Sequence, residues 1–348
     1  MAKKDRLPHW GSKGAINRAG EALRRRSVTS GQTLCLESWR IAHRYVIHSF
    51  EALLRARAKQ YEEVEVAQRL KRRTTIVDKL SRYPRMELAR MDDIAGCRVI
   101  FPTVESLHDY RNKVHKAKFK HLLRNEKGKY DYLLSPTDRG YRGIHDVYEY
   151  RARQKKPTYY NGLMIEIQYR TQVQHAWATA VELVTQLTEN EPKFNRGDPR
   201  HIRLFVLASE MLARAHEAMN SCLAEIGNKE LVEEFDSLNE ELQVMQMFFN
   251  LHLHKWADEE AKAKKAAHVI LQLNTTGDLT YHHFDLELEA SRALLELEKA
   301  NPEDDIVLVG ASTAKEIASA FRNYFRDVGA FIGYIGNARD LLLIGKQE

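Results

Sequence analysis

The sequence predicts an α/β fold whose first large domain is built on a mixed sheet. Short aliphatic runs alternate with segments of helical periodicity between residues 64 and 182. One of these runs, 163–169, also alternates polar with aliphatic side chains. Alternating strand and helix patterns are typical of a sheet flanked by helices.

The individual elements follow from residue spacing. Apolar residues at helical intervals predict helices at about 34–57, 74–81, 104–115 and 173–187. Strands are predicted at 97–101, 144–150 and 163–169. A loop at 190–199 leads into a helical pattern that continues to about residue 265. A strand, helix, strand and helix are then predicted at 269–273, 286–299, 306–309 and 314–325.

These patterns divide the chain into four parts. Residues 1–26 hold eight basic and two acidic residues and are predicted to form a basic, flexible arm. Residues 27–187 form the predicted mixed-sheet domain, 188–265 a helical segment, and 266–348 a small acidic α/β domain.

Charge is distributed unevenly along the chain. Residues 1–220 carry 42 Lys and Arg against 25 Asp and Glu, whereas residues 221–348 carry 12 against 23, which together give the net charge of +6. The basic part is expected to meet polyanions such as nucleotides or nucleic acid. Two unrelated solvated surfaces are the alternative.

Cysteine usage and hydropathy favour a cytoplasmic protein. Cys35, Cys97 and Cys222 are far apart, which indicates neither a disulfide framework nor a zinc site. No apolar run approaches the roughly 18 residues that span a bilayer, and the first residues lack the apolar stretch of a signal peptide. We therefore expect no membrane partner.

Two carboxylates stand where nucleotide chemistry would need them. Neither a Walker A motif nor the dinucleotide GxGxxG is present, so phosphoryl chemistry would require Mg²⁺ held by one or two carboxylates and by substrate phosphates. Asp93 comes just before the strand 97–101, and alternation places Glu166 on a polar face of the strand 163–169, together with Gln168 and Arg170. A solvent-facing edge strand is the alternative explanation of this face.

Two further segments suit a nucleotide. If a helix starts near Thr74, its first-turn amides, Thr75 and Lys79 face a nearby phosphate. In the loop 140–143, Tyr141 suits stacking on a base, and Arg142 and His145 could reach phosphates or base edges. Each signal alone is weak, because basic helix starts are usually solvated and loop tyrosines usually cover a core.

Four motifs occur in order within about residues 60–187. They are Arg-x-Lys-x3-Thr-x3-Lys from Arg69, Asp-Ile-Ala-Gly-x-Arg from Asp93, Gly-Tyr-Arg-x-x-His from Gly140, and Glu-Ile-Gln-x-Arg-Thr from Glu166. This series resembles the synthetase domain of RelA/SpoT proteins, the alarmone synthetases. The resemblance implies a fold similar to nucleotidyltransferases of the polymerase-β type.

The resemblance also implies an activity and residue roles. A 3′-oxygen of the acceptor attacks the β-phosphorus of ATP, and AMP leaves. The implied roles are adenine binding by Arg69 and Arg98, phosphate binding by Lys71, Thr75 and Lys79, Mg²⁺ binding by Asp93 and Glu166 (Glu166 also being the expected base), stacking of the acceptor base on Tyr141, and further acceptor contacts from Arg142, His145, Gln168 and His175.

The identity of the acceptor is left open by one departure from the family pattern. Many alarmone synthetases have Pro-Lys shortly before Gly-Tyr-Arg, but Thr137 takes the place of the lysine here. GDP or GTP is one expected acceptor; the 3′ end of tRNA or an adenosine nucleotide is the alternative, as in toxic small alarmone synthetases. The basic segment 111–129 could track an RNA backbone. A non-catalytic nucleotide or RNA sensor is a third interpretation.

The acidic C-terminal third suggests assembly and regulation. An apolar seam at alternating spacings of four and three predicts a continuous helix at 228–256 that packs against a partner, either a second copy or the helix at 200–219. Its members are Leu231, Phe235, Leu238, Leu242, Met245, Phe249 and the polar His252. Residues 266–348 are expected to restrain the basic domain by covering its surface, so truncation after Lys265 would activate the protein.

Overall fold

The computed structural model describes residues 10–126, 128–152, 158–187, 198–254, 268–273, 279–301, 304–310 and 314–344. The chain divides into two compact units. The first unit comprises Met1–Asp131 and Gly143–Gln172, and the second comprises Tyr132–Arg142 and Val173–Glu348. The expected boundary near residue 187 therefore falls inside the second unit, which begins at Val173 and also takes up the short segment 132–142.

The first unit contains a five-stranded mixed sheet with helices, which confirms the predicted fold class. Its strands are β1 (Glu65–Leu70), β2 (Ala95–Phe101), β3 (Leu122–Leu123), β4 (Ile144–Glu149) and β5 (Met164–Thr171). Its helices are α1 (Lys13–Arg24), α2 (Ser30–Ala58), α3 (Arg73–Arg82) and α4 (Val104–Lys116). The strand order is β1-β2-β5-β4-β3, with β2 and β5 parallel and the other pairs antiparallel.

One face of this sheet forms a core with α2 and α4. Ile165 and Ile167 of β5 are fully buried, whereas Glu166 and Gln168 between them are not. Phe101 at the end of β2 packs against Tyr110 of α4, with ring centroids 5.1 Å apart. The Tyr110 hydroxyl donates to the backbone carbonyl of Leu54 in α2 at 2.9 Å. The aliphatic side of the alternating strand is thus the core side, as predicted, and its polar side faces away from these helices.

The N-terminal segment is more ordered than expected. Residues 13–24 form α1, which begins after Ser12, whose hydroxyl accepts a hydrogen bond from the amide of Ala15. Its Gly20 lies so close to Leu88 that a Cβ atom would stand 2.6 Å from the Leu88 Cβ. The prediction of a loosely structured arm was therefore wrong for this helix: its charged residues concealed a narrow apolar stripe of Ile16, Ala19 and Leu23, all buried.

The second unit combines helices with a small sheet. Its helices are α5 (Gln172–Leu187, which begins at the unit boundary), α6 (Pro199–Glu217), α7 (Asn228–Leu242), α8 (Val244–His254), α9 (Glu287–Ala300) and α10 (Ala314–Ile344). Its strands are β6 (His268–Leu273), β7 (Leu279–Phe284) and β8 (Asp305–Gly310), in the order β7-β6-β8 and all antiparallel. The strand β7 was not predicted. In the part of the chain that the structure describes, no helix is both long and apolar enough to cross a bilayer.

The predicted continuous helix at 228–256 is broken. Gln243 adopts a left-handed conformation (φ 54°) and separates α7 from α8. Leu231 and Phe235 are buried as predicted, but beyond the break Phe248 is buried and the predicted seam residue Phe249 is 47% exposed. The seam residues Leu238, Leu242 and Met245 also pack against the helical core of the same unit, and α7 contacts α6, which agrees with the alternative of packing against the helix at 200–219. This arrangement contradicts a continuous dimerisation seam.

The helix α10 joins the C-terminal region to the helical core. It was predicted to end near residue 325 but continues to Ile344. Its second half lies in one core with α6, α7 and α8, through the buried residues Val328, Phe331, Ile335, Ala338 and Leu342. Residues 266–348 are therefore not a self-contained domain. Truncation after Lys265 would expose this core, so that experiment cannot report on inhibition alone.

This packing predicts a large stability loss on truncating one α10 side chain. Phe331 is 1% exposed and contacts the rings of Phe205 and Phe248. Phe331→Ala should lower the free energy of unfolding by roughly 3–5 kcal/mol, because a buried aromatic ring is replaced by a cavity. Chemical denaturation measures this difference. Leu341→Ala, at a side chain 48% exposed on the same helix, is the control and should change stability by less than about 0.5 kcal/mol. Equal effects of the two substitutions would contradict the packing of α10.

Candidate active site

Strand register gathers the predicted site residues of the first unit on the polar face of the sheet. Residues directly opposite each other on paired strands share a face. Arg69, Gly96 and Glu166 form one such row across β1, β2 and β5. Arg98, Gln168 and His145 form the next row, across β2, β5 and β4. Since Gly96 has no side chain, it leaves space between Arg69 and Glu166.

Asp93 is held between two lysines at one end of this face. Lys71 Nζ lies 2.9 Å from Asp93 Oδ2, and Lys79 Nζ lies 2.9 Å from Asp93 Oδ1. Burial opposes ionisation of Asp93, but the charges of Lys71 and Lys79 outweigh it and lower the pKa of the carboxyl below its usual value. Asp93 is therefore ionised at neutral pH and offers its charge to cations.

The position of Lys71 is fixed by its backbone. Lys71 follows the last residue of β1, and its amide donates to the carbonyl of Ile94 at 2.9 Å. Its own carbonyl accepts a hydrogen bond of 2.8 Å from Nε of the buried Arg40 in α2. Burial lowers the pKa of Lys71, although Asp93 acts in the opposite direction. Arg40 is thus a supporting residue that the motifs of the sequence did not indicate.

Glu166 is clamped by two neighbours on the polar face. Its Oε1 lies 3.1 Å from Nδ1 of His145, and its Oε2 accepts a hydrogen bond of 2.7 Å from Nε2 of Gln168. Burial raises the pKa of Glu166, but His145, Gln168 and then Lys79 lower it to a net value well below its usual range. His145 and Gln168, which the family resemblance assigns to the acceptor, therefore contact the second carboxylate in this structure.

The helix α3 presents an uncapped first turn beside Lys71. Its N-cap is Arg72, which makes no side-chain capping bond. The Thr75 hydroxyl donates to the Arg72 carbonyl at 2.9 Å and so lies in the first turn of the helix. First-turn amides without a capping side chain can bind an anion, which the helix dipole also favours. Lys79 lies one turn further along the same helix and reaches Asp93.

Arg69 and Arg98 are diagonal neighbours on β1 and β2, because Arg98 pairs with Ala67 in the antiparallel ladder. Diagonal neighbours in such a ladder are typically roughly 7–8 Å apart. That spacing accommodates a flat base between two guanidinium planes. The exposed side chain of Arg69 and the half-buried side chain of Arg98 lie on the same face as Glu166.

One carboxylate near the site was not singled out from the sequence. Burial raises the pKa of Asp92, Lys79 opposes that rise, and the nearby charges of Asp93 and Glu166 add to it. Asp92 thus makes the same end of the sheet more acidic. The adjacent pair Asp92-Asp93 was the available signal, but only Asp93 occupies the motif position. Among the described residues, no three His, Cys, Asp or Glu side chains gather in a ready-made metal site.

The remaining predicted acceptor residues belong to the second unit. Thr137 and Tyr141 close the loop that carries Tyr141: the Tyr141 amide donates to Thr137 Oγ1 at 3.1 Å, and the Thr137 amide donates to the Tyr141 carbonyl at 3.2 Å. The partly buried ring of Tyr141 packs against the helical core and meets Tyr132 edge to face, with centroids 5.5 Å apart. Thr137 therefore shapes this loop.

Arg142 and His175 are both buried in the second unit. Arg142 is 3% exposed, and its guanidinium forms an ion pair with Glu217 of α6. His175 is 8% exposed in α5. The structure thus gives Arg142 a partner within the protein, where the sequence suggested a contact with phosphate or base.

The polar face of this α/β domain has the groups that a polyphosphate site needs. Two lysines and the uncapped first turn of α3 lie near two ionised carboxylates. Residues 68–186 match the family model described as a region found in RelA / SpoT proteins. The match covers about a third of the chain and confirms the resemblance to RelA/SpoT synthetases that the four motifs indicated. Among curated proteins, none matches the sequence.

Solved structures with similarity to this chain include three from two bacteria. Small alarmone synthetase 1 from Bacillus subtilis is 22% identical, with a TM-score of 0.44, and the match covers 60% of this chain and 97% of that one. The same enzyme bound to its product pppGpp gives 21% identity, a TM-score of 0.45 and coverage of 60% and 97%. A GTP pyrophosphokinase family protein from Streptococcus pneumoniae is 22% identical, with a TM-score of 0.42, and the match covers 60% of this chain and 96% of that one.

The clamp on Glu166 predicts a specific pH dependence of stability. A carboxylate whose pKa is lowered by folding stabilises the protein above its unfolded pKa, near 4.5 for glutamate, and loses this contribution as the pH falls through the folded value. Glu166→Gln should therefore lower the free energy of unfolding at pH 7, and the difference from the wild type should shrink below about pH 4.5. Denaturation curves between pH 3 and pH 7, sampled at roughly one-unit intervals, measure this.

The exposed Glu62 supplies the control for this measurement. Glu62→Gln should leave stability nearly unchanged over the same pH range. A Glu166→Gln deficit that stays constant down to the lowest pH would contradict the electrostatic origin of the clamp.

Proposed function

We propose that this protein is an ATP-dependent pyrophosphokinase that transfers the β,γ-pyrophosphate of ATP to the 3′-hydroxyl of GDP or GTP and releases AMP. The observation that carries the proposal is the placement of Lys71 and Lys79 on the two oxygens of Asp93, with Glu166 on the same face of the sheet. The match of residues 68–186 to the family model for RelA / SpoT proteins supports the same reaction class.

The ATP would lie along the polar face of the first unit. Arg69 and Arg98 bind the adenine between their guanidinium planes, as their diagonal spacing allows. Lys71, Lys79 and the first turn of α3 with Thr75 bind the phosphates. These groups neutralise the charge of the polyphosphate and hold its β-phosphorus in place, which is most of what an enzyme contributes to phosphoryl transfer.

Asp93 and Glu166 fit a Mg²⁺ ion. Magnesium prefers carboxylate oxygens and usually takes only one or two from the protein, the others coming from water and substrate phosphates. Both carboxylates are kept ionised by their neighbours, and the two lysines show that Asp93 attracts positive charge from two sides. When bound, the ion would supply charge neutralisation of the transferred pyrophosphate.

The low pKa of Glu166 limits its role as a base. A weak base accepts a proton only when the attacking hydroxyl has already become acidic through bond formation to phosphorus. Phosphoryl transfer tolerates this, because its transition state is loose and depends more on alignment than on early deprotonation. We therefore assign Glu166 to orienting the acceptor hydroxyl and receiving its proton late, in addition to binding the metal.

The choice of acceptor depends on the loop of Thr137 and Tyr141. Tyr141 would stack on the acceptor base, and the 5′-phosphates of GDP or GTP would need a cation that Thr137 does not supply. Two observations favour a second acceptor, the 3′ end of tRNA. They are the absence of a lysine at position 137 and the basic segment 111–129. Arg111, however, is buried in an ion pair with Asp146 and does not contribute to a basic surface.

Replacing either carboxylate should stop the transfer. Asp93→Asn and Glu166→Gln should each reduce turnover on the order of 100-fold or more, since each removes half of the charge that holds Mg²⁺ against the phosphates. The assay follows ATP labelled in the transferred phosphates, with GDP, GTP, ADP, ATP and bulk tRNA offered separately. Asp109→Asn, at an exposed carboxylate, is the control and should retain activity. Near-normal turnover in either site variant would refute the assignment.

Restoring a lysine should shift the acceptor preference. Thr137→Lys supplies a cation near the acceptor but also removes the oxygen that accepts the hydrogen bond from the Tyr141 amide. Thr137→Ala removes the same oxygen without adding charge and is the matched control. If charge decides the acceptor, the lysine variant should raise the ratio of GTP to tRNA use about tenfold over the alanine variant, as expected for one charge-assisted contact of roughly 1.5 kcal/mol. Equal ratios would show that this position does not set the acceptor.

A further inference from the structure

The loop that carries Tyr141 is held at two points by α6, a helix outside the segment that matches the family model. The first point is Ser209 in the middle of α6. Its hydroxyl donates to the carbonyl of Gly140 at 2.6 Å, and this serine is 3% exposed. Gly140 has a φ of 80°, and a Cβ atom there would stand 2.8 Å from the Cβ of Ser209. The residue before Tyr141 is thus pressed directly against α6.

The second point is Glu217, the last residue of α6. Its Oε2 is paired with the guanidinium of Arg142, the residue after Tyr141, and its Oε1 accepts a hydrogen bond of 2.8 Å from Nε2 of Gln174 in α5. The Glu217 side chain is 4% exposed and that of Arg142 is 3% exposed. Both oxygens of this buried carboxylate are hydrogen-bonded. Breaking its ion pair with Arg142 would leave two buried charges without water to solvate them, so the attachment is rigid.

Tyr141 therefore stands between two fixed residues. Gly140 is held by Ser209 and Arg142 by Glu217, while Thr137 closes the loop from its other end. The tyrosine ring is only partly buried, in contrast to the side chains that anchor its neighbours. The anchors fix the backbone on both sides of Tyr141 and leave the ring partly accessible.

We propose that Glu217 and Ser209 are positioning residues for the acceptor nucleotide, acting through the loop that presents Tyr141. This inference rests on the proposed function, since it assigns the acceptor base to Tyr141. Stacking depends on the plane of the ring, so a loop free to tilt would lose acceptor affinity without affecting the ATP groups on the first unit. Arg142 accordingly serves the acceptor by joining its loop to Glu217, and does not need to touch the ligand.

The first experiment examines the loop without any nucleotide. Glu217→Gln keeps the shape of the side chain and its contact with Gln174 but removes the charge opposite Arg142. Amide hydrogen exchange of residues 137–142 should accelerate at least about tenfold in this variant, while exchange in β2 and β5 stays unchanged. Glu233→Gln, at an exposed carboxylate of α7 (64% exposed), is the matched control and should change neither. Unchanged exchange in residues 137–142 would overturn the inference whether or not the protein is an enzyme.

The second experiment separates positioning from mere stability. In steady-state assays, Glu217→Gln should raise the KM for the acceptor about tenfold and leave the KM for ATP within about twofold, and Ser209→Ala should do the same to a smaller extent. In a Tyr141→Ala background, Glu217→Gln should have little further effect, because the two residues act through the same contact. Additive effects, or equal changes in both KM values, would show a general structural role and overturn the inference.

These two readouts also distinguish the inference from the proposed function. If the wild-type protein transfers no pyrophosphate to any acceptor offered, the proposed function fails, and the acceptor-positioning role fails with it even when the loop loosens as expected. If the wild type is active but Glu217→Gln does not fold, Ser209→Ala carries the same test, since it removes one hydroxyl and leaves every charge in place. A Ser209→Ala protein that folds with unchanged loop exchange and unchanged acceptor KM would then overturn the inference.

Discussion

The parallel pairing of β2 with β5 is the constraint on which the candidate site depends. It sets Gly96 beside Glu166 and Arg98 beside Gln168, and the antiparallel neighbours β1 and β4 add Arg69 and His145 to the same rows. Because side chains alternate along a strand, a slip of one residue would turn Glu166 into the core and Ile165 outward. The burial of the aliphatic face under α2 and α4 therefore also fixes the polar face. Folding and site assembly have one cause in this unit.

The lysines around Asp93 give this site an internal charge balance. Lys71 and Lys79 both neutralise the charge of Asp93. Lys79 also favours the ionised form of Glu166. A polyphosphate that bound these lysines would leave Asp93 in need of another cation. Binding of the nucleotide and of a divalent ion would then favour each other, and this dependence is reciprocal by thermodynamic linkage.

The sequence was sufficient for the parts of the protein whose patterns are local. Strict alternation around Glu166 identified the polar face, and motif spacing identified Lys71, Lys79 and Asp93 before the structure brought them together. The contacts of Arg142 and Arg40 were not predictable, because their partners Glu217 and Lys71 are 75 and 31 residues away in the chain. The break at Gln243 was missed because a left-handed non-glycine residue leaves the apolar periodicity on both sides almost intact. The helix α1 was not predicted because the many basic residues of 1–26 conceal its narrow apolar stripe.

The packing of α10 limits which insertions and deletions this helix can accept during evolution. Its buried residues Val328, Phe331, Ile335, Ala338 and Leu342 follow one another at intervals of three and four. Inserting or deleting a single residue among them would rotate every later side chain by about 100° around the helix axis. The apolar stripe beyond that point would then no longer face the helical core. Viable changes in the length of this part of α10 should therefore come in steps of about seven residues, which keep the apolar stripe in register.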